Sequence, residues 1–329
     1  MAPKLLQSRT EALYSKKVSP NNLENPSLLQ DEATDLILDH HISCIKYSYR
    51  VADQIVSFLE GFQNELVNDI LLDSHGNRFE SDITRMDLFA ERTHVKLHQL
   101  RSRFENYFEE VISIWERKEI DFLRSAFQYG GDYPSYSNPS LLGVPYEEVL
   151  HLNLHSMRSE ISSNYRTALV YGQGDTYLLE KFRGTRSLNY KDSIFGLFQS
   201  RFTTIFRTAF LEQLNKIRLS FYALLPQRFT HFSMVSPFPS DKQVSLYSLQ
   251  DYSLVSGSEK FTGPLENYNS SRTPVPILEK KSFDVKNLRS WFGATPESYQ
   301  QEVLGKKRFL LLKKGTISKS QIFNFKHSS

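Results

Sequence analysis

Cysteine is nearly missing from this chain: Cys44 is the only one among 329 residues. No intrachain disulfide can form and no multi-thiolate zinc cluster is available, so a reducing compartment, cytoplasm or nucleus, is the expectation. Glycine and proline are scarce as well, at 14 and 13, which weighs against a sheet-rich fold with many tight turns and in favour of long helices. No apolar run approaches the roughly 18 residues that a transmembrane helix requires. The first twenty residues, MAPKLLQSRTEALYSKKVSP, lack the apolar stretch of a secretory signal. Their Lys4, Arg9, Lys16 and Lys17 against a lone Glu11 share charge with an organelle transit peptide, but a loose basic leader is the preferred reading.

What is present is apolar mass and divided charge. Apolar residues make up 40% and aromatics 13%, too much for wholesale disorder and enough, at this length, for a sizeable core. The net charge of +3 conceals a split. From position 280 onward, 11 Lys and Arg face only Asp284, Glu297 and Glu302, a net of +8, while the first 279 residues hold 29 basic against 34 acidic side chains, a net of −5. An acidic body carries a basic tail.

Periodicity divides the chain further. Residues 1–30 show no sustained period and read as a flexible arm. Residues 31–72 read as a helix with Ile45, Ala52, Ile55, Leu59, Phe62 and Leu66 spaced around Ser48. A turn at 73–77 leads to a second long helix, on which Ile83, Met86, Ala90, Thr93, Leu97, Leu100, Phe104, Tyr107, Val111 and Ile114 keep a heptad. The Gly- and Pro-rich stretch 130–145 is a linker, and Pro145 with Glu147 and Glu148 suits the start of a third helix. That helix carries Val149, Leu150, Leu154, Met157, Ile161, Tyr165 and Ala168 to Gly172, and a short segment, 176–182, follows. Residues 188–225 form the most apolar helix, its phenylalanines on overlapping faces, so it is expected to be covered on more than one side.

The domain organisation that results is an arm at 1–30, a helical bundle at 31–226, a loop-rich segment at 227–282 and a basic helix-and-hairpin module at 283–329. Within the loop-rich segment, short strands such as 244–247 and extended loop packing are both open. The last module is read as a short helix near 284–291, a helix begun by Pro296, and two strands turning at Lys314-Gly315.

One motif occurs twice. ERTHVKLH at 91–98 and EVLHLNLH at 148–155 are both Glu-x-x-His-x-x-Leu-His. On a helix, Glu91, His94 and His98 share a face, as do Glu148, His151 and His155. Four-helix carboxylate proteins hold two metal ions with Glu-x-x-His pairs plus a Glu from each of two other helices. Glu60 or Glu65 and a Glu between 105 and 119 occupy the corresponding places in chain order. Two considerations oppose a shared site. Reflection about the 130s loop puts His151 opposite residue 121, about 45 Å along the helix from Glu91. The heptad also puts Glu91, His94 and His98 outside the seam. Asp39-His40-His41 with Cys44 is a second ligand-like cluster, but it has no remote partner in the sequence, and Cys44 reads as a small apolar residue on a packed face.

Gly-x-Ser-x-Gly and phosphate-loop motifs do not occur, Ser43-x-x-Lys46 lacks any companion, and Gly172-Gln-Gly174 ends a helix rather than following a strand. The fold expected is mostly α, a long antiparallel helical hairpin within a helix bundle plus a loop-rich C-terminal region with a small β-hairpin. The function expected is non-enzymatic and needs no cofactor. The long helices would engage a protein partner or a second copy, and the basic tail would contact an anionic partner, nucleic acid among the candidates. Lys306, Lys307, Arg308, Lys313, Lys314 and Lys319 would carry that contact, interleaved with Phe309, Phe323 and Phe325. The alternative is an Fe- or Mn-dependent oxidoreductase using Glu91, His94, His98, Glu148, His151 and His155.

Overall fold

The computed structural model describes residues 26–76, 82–133, 138–173, 175–184, 193–226, 229, 231–235, 246–248, 272–277, 297, 301 and 306–315. The fold is mostly α. Its elements are α1 (Pro26–Gly76), α2 (Asp82–Phe127), β1 (Ser140–Leu141), β2 (Val144–Pro145), α3 (Tyr146–Val170), α4 (Asp175–Arg183), α5 (Ile194–Ala223), β3 (His231–Val235), β4 (Leu246–Ser248), β5 (Thr273–Ile277) and α6 (Lys306–Lys313). Among the described residues, no helix is long and apolar enough to cross a membrane. The chain divides into two compact units. The first comprises Met1–Tyr47, Trp115–Asn138 and Leu211–Ser329, the second Ser48–Ile114 and Pro139–Phe210, so α1, α2 and α5 each supply residues to both.

Helix α1 begins at Pro26, where a fixed φ and a missing N–H cost nothing. It therefore starts inside the expected arm, the rest of which lies outside the described residues, and continues through the turn expected at 73–77 as far as Gly76. Its expected stripe holds: Ile45, Ser48, Ala52, Ile55, Leu59, Phe62 and Leu66 are all buried. The heptad on α2 holds only in the middle, because Ile83 and Ile114 are 68% and 42% exposed. The buried positions there repeat every 11 residues instead: Phe89, Leu100, Val111, Phe122; Thr93, Phe104, Trp115, Ala126; and Leu97, Phe108, Glu119. Eleven residues make three turns of 3.67, close to the natural pitch of a straight helix, whereas a strict heptad drifts off the face without supercoiling.

In the second unit the core is aromatic. Phe104 lies 5.3 Å from both Phe202 and Phe206, and Phe108 lies 5.0 Å from Phe206 and 4.9 Å from Tyr146. Each such pair adds about 0.5–1.5 kcal/mol beyond the area it buries. A tight hairpin delivers α3: Leu141 pairs with Val144, and Leu142 and Gly143 both take positive φ, 51° and 88°. That is the geometry of a two-residue hairpin turn, which glycine adopts freely and leucine does not. Pro145 caps α3, with Glu147 and Glu148 in its first turn, as the sequence suggests. At the other end Gly172, φ 62°, donates to Leu169 O and Gln173 N donates to Ala168 O, closing the helix in a Schellman motif.

In the first unit α5 packs against a three-stranded antiparallel sheet in the order β4-β3-β5. His231 pairs with Ser248 and with Ile277, Val235 with Thr273. Pro274 and Pro276 alternate on β5, so their missing N–H groups fall on one side of the strand, and among the described residues β5 is an edge strand, where that side carries no ladder. Three polar residues one α5 turn apart read successive residues before and along β5. Asn215 donates to Arg272 O, Arg218 to Thr273 Oγ1 and Tyr222 to Pro274 O.

The hairpin expected at Lys314-Gly315 is replaced by α6, which ends at Lys313 with Gly315 at φ 69°. Phe309-Leu310-Leu311-Leu312 is too short an apolar run to separate strand from helix by period, and leucine and lysine favour the helix. The glycine stops that helix instead of turning a hairpin. Helices expected near 284–291 and the aromatics Phe323 and Phe325 lie outside the described residues.

Candidate functional site: a buried charge cluster

The six residues of the doubled motif all point to solvent: Glu91, His94, His98, Glu148, His151 and His155 are exposed. The register assumed for them needs correction. Arg101 NH1 reaches His151 Nδ1 at 3.4 Å, Phe108 meets Tyr146, and Phe89 stacks on Tyr165 at 3.8 Å. These pairs place His151 beside residue 101, not residue 121, and bring His98 level with His155. The reason lies in the residues that follow α2 and in the late start of α3 at Tyr146. Gln128 takes the left-handed conformation after Phe127, and Tyr133 lies back along α5, stacked on Phe221 with its hydroxyl donating to Ile217 O. The long helical separation that opposed a shared site is therefore absent, but among the described residues these side chains do not converge on a ligand group.

Convergence occurs elsewhere. Among the described residues, His40, Cys44 and Glu119 form the group whose ligand-type atoms lie within 4.8 Å of one another, all buried. His40 and Cys44 stand one turn apart on α1, and Glu119 faces them from α2. His40 Nε2 donates to Glu119 Oε2 at 2.8 Å, and the thiol of Cys44 approaches the same oxygen at 3.9 Å. Phe122, one turn beyond Glu119, stacks on the His40 ring at 3.7 Å and fixes its plane.

Arg218 completes the cluster from α5. Its Nε donates to Glu119 Oε1 at 2.6 Å and its NH2 to Oε2 at 3.1 Å, a bidentate pair with both side chains at 0% exposure. NH2 also lies 3.5 Å from Cys44 Sγ, and NH1 contacts Thr273 Oγ1 and His41 Nδ1, the latter at 2.9 Å. A guanidinium can only donate, so His41 Nδ1 is the acceptor. One arginine thereby ties together α1, α2 and β5.

The environment shifts each charge. Burial works against a charged His40, but the carboxylate of Glu119 outweighs it and lifts the imidazole to about 9. Burial likewise opposes ionisation of Glu119, yet Arg218 and His40 hold the carboxyl far below its ordinary range. Arg218 is opposed by burial and raised by Glu119 in the same way. At neutral pH the cluster therefore holds His40 and Arg218 as cations around one carboxylate.

Sequence reasoning found His40, His41 and Cys44 but no remote partner for them. The missing partners were Glu119, which a heptad counted from Ile83 assigns to solvent, and Arg218, hidden in the run LNKIRLSFY. The 11-residue spacing Leu97, Phe108, Glu119 was the available signal for the carboxylate.

Of the basic residues expected to meet an anionic partner, Lys306, Lys307 and Arg308 open α6, their side chains outside the described residues. Lys313 and Lys314 are exposed, and Lys313 Nζ donates to Glu297 Oε2 at 2.8 Å. Lys319 lies outside the described residues. No protein-family model matches the chain, and no curated protein or solved structure matches it.

Proposed function

We propose that this chain is a non-enzymatic helical interaction protein whose basic C-terminal segment contacts an anionic partner, with nucleic acid the partner to test first. The observation that carries the reading is the charge split, −5 over the first 279 residues against +8 over the rest. Helix α6 supports it, with exposed Lys313 and Lys314 beside a Leu310 that is 45% exposed. Long helices whose outer faces carry Arg, Lys and Glu offer the body a second surface, for a protein partner or another copy. Cytoplasm or nucleus is the compartment proposed.

The test keeps the chain at full length. Lys306, Lys307, Arg308, Lys313, Lys314 and Lys319 are replaced together by Gln, and binding to single-stranded RNA and duplex DNA is measured across a salt series. For every phosphate-binding cation removed, the slope of log K against log salt should become shallower by about 0.7–0.9. The parent protein is expected to bind with a steep salt slope that the variant lacks. Equal binding by the variant, or none by the parent, overturns the nucleic-acid reading.

A further inference from the structure

The buried cluster of the first unit contains three side chains of a metal-ligand set, and its geometry supports a use beyond the surface contact proposed above. We propose that His40 Nε2, Cys44 Sγ and one carboxylate oxygen of Glu119 form a buried site for a single zinc-class divalent cation, backed by Arg218.

The donor set is the first reason. Imidazole nitrogen, thiolate sulfur and carboxylate oxygen together suit zinc, which is borderline in softness and indifferent to coordination geometry. Separation is the second. Around a tetrahedral zinc with bonds of about 2.0–2.3 Å, a nitrogen and an oxygen stand about 3.4 Å apart, a sulfur and an oxygen about 3.6 Å. In the structure those separations are 2.8 Å and 3.9 Å. One must open and the other close by a few tenths of an ångström, within the reach of side-chain rotation. Three protein ligands leave the fourth position to water.

The surroundings are built as a metal site requires. Arg218 holds the Glu119 oxygen Oε1 at 2.6 Å and approaches Cys44 Sγ at 3.5 Å. These are the hydrogen bonds that orient a bound carboxylate and stabilise a bound thiolate. Phe122 already sets the His40 ring. Charge also closes: imidazole must ligate as the neutral base and cysteine as the thiolate, so a dication meets two negative ligands, and Arg218 keeps its place against the free carboxylate oxygen. The site is sealed, with Glu119 and Cys44 at 0% exposure, so the cation enters as the chain folds, and binding energy becomes folding energy.

Full-length protein without a histidine tag is unfolded in urea with chelator, then refolded with cobalt(II) or zinc(II) and desalted. About one equivalent should be retained, cobalt should show a thiolate-to-metal charge-transfer band, and the unfolding midpoint should rise with metal. Cys44→Ser should lose the band and most of the retained metal, and His40→Gln should retain at least tenfold less. The double variant His98→Ala/His155→Ala, which alters exposed histidines only, should behave as the parent. The proposal is overturned if the parent retains less than about a tenth of an equivalent. It is equally overturned if cobalt binds without a thiolate band, or if binding follows His98 and His155 instead of Cys44. Because the parent alone gives two of these results, a variant that fails to fold does not protect the proposal.

Discussion

The two units solve the same packing problem with different chemistry. The second unit fills its centre with Phe104, Phe108, Phe202, Phe206 and Tyr146, rings that touch rings. The first unit places a carboxylate, a guanidinium, two imidazoles and a thiol at its centre, each satisfied by another. An apolar core gains from every atom removed from water and cares little about which partner lies alongside. A buried charge cluster gains only when complete, since desolvating two ions offsets most of their attraction, while removal of one partner strands the other. The first unit should thus be cooperative in charge and sensitive to pH, the second sensitive to volume.

The largest expected effect tests that contrast directly. In metal-free protein, Glu119→Ala should destabilise by about 3–5 kcal/mol because it strands Arg218 without a counter-ion. Adding Arg218→Met should recover a large part of the loss, giving a double variant more stable than the single one. Phe104→Ala in the second unit should cost a similar 3–5 kcal/mol, yet no second truncation at Phe206 should restore it. Urea unfolding of the parent, the single variants Glu119→Ala, Arg218→Met, Phe104→Ala and Phe206→Ala, and the two double variants measures this, and additive losses at Glu119 and Arg218 would erase the distinction.

The next effect separates the units by pH. His40 has an ordinary value of 6.5 and is lifted to about 9 in the folded chain. A group raised on folding contributes its full stability below 6.5 and loses it progressively as pH rises to 9. Glu119 is shifted down, so its contribution is present above the ordinary carboxyl value and lost as pH falls below it. Metal-free protein should therefore be most stable between about pH 5 and 6.5 and should weaken toward pH 9. His40→Gln should flatten the alkaline limb, while Phe104→Ala should lower the whole profile without changing its shape. An unaltered alkaline limb in His40→Gln would assign the pH dependence elsewhere.

The smallest effect has the opposite sign. Tyr146 is 1% exposed, and its hydroxyl has no hydrogen-bond partner among the described residues. Tyr146→Phe should be neutral or stabilise by up to about 1 kcal/mol, because no bond is broken and a buried polar atom is removed. Loss of more than about 1 kcal/mol in thermal or urea unfolding would mean that the second unit, too, relies on a polar contact at its centre.

Much of this architecture is legible without coordinates. Of the stripe Val149, Leu150, Leu154, Met157, Ile161, Tyr165 and Ala168, all but the half-buried Val149 are buried as the spacing implies, and Gly172 ends that helix by the conformation only glycine adopts cheaply. The phenylalanines of α5 are buried, and from Ile205 to Asn215 every residue is buried, so that stretch is covered on more than one side as its overlapping apolar faces imply, while Leu197, Ser200 and Arg201 nearer its start are exposed. Legibility fails where a local signal has two meanings. Phe309 to Leu312 fits strand and helix alike, and a glutamate on a charged helix looks solvated unless its 11-residue relatives are noticed.

The sequence by itself determined the long helices, most of their apolar faces and the stop of α3, because each depends on neighbours within a few residues, and its composition alone gave the acid–base split. Only the tertiary structure decided which polar groups meet. Glu119 and Arg218 are 99 positions apart, and His41 and Arg218 are 177 apart. No local period relates them, and the register of one helix on another, set by side-chain packing along their whole length, brings His40, Cys44, Glu119 and Arg218 together while leaving the twice-written Glu-x-x-His motif in water.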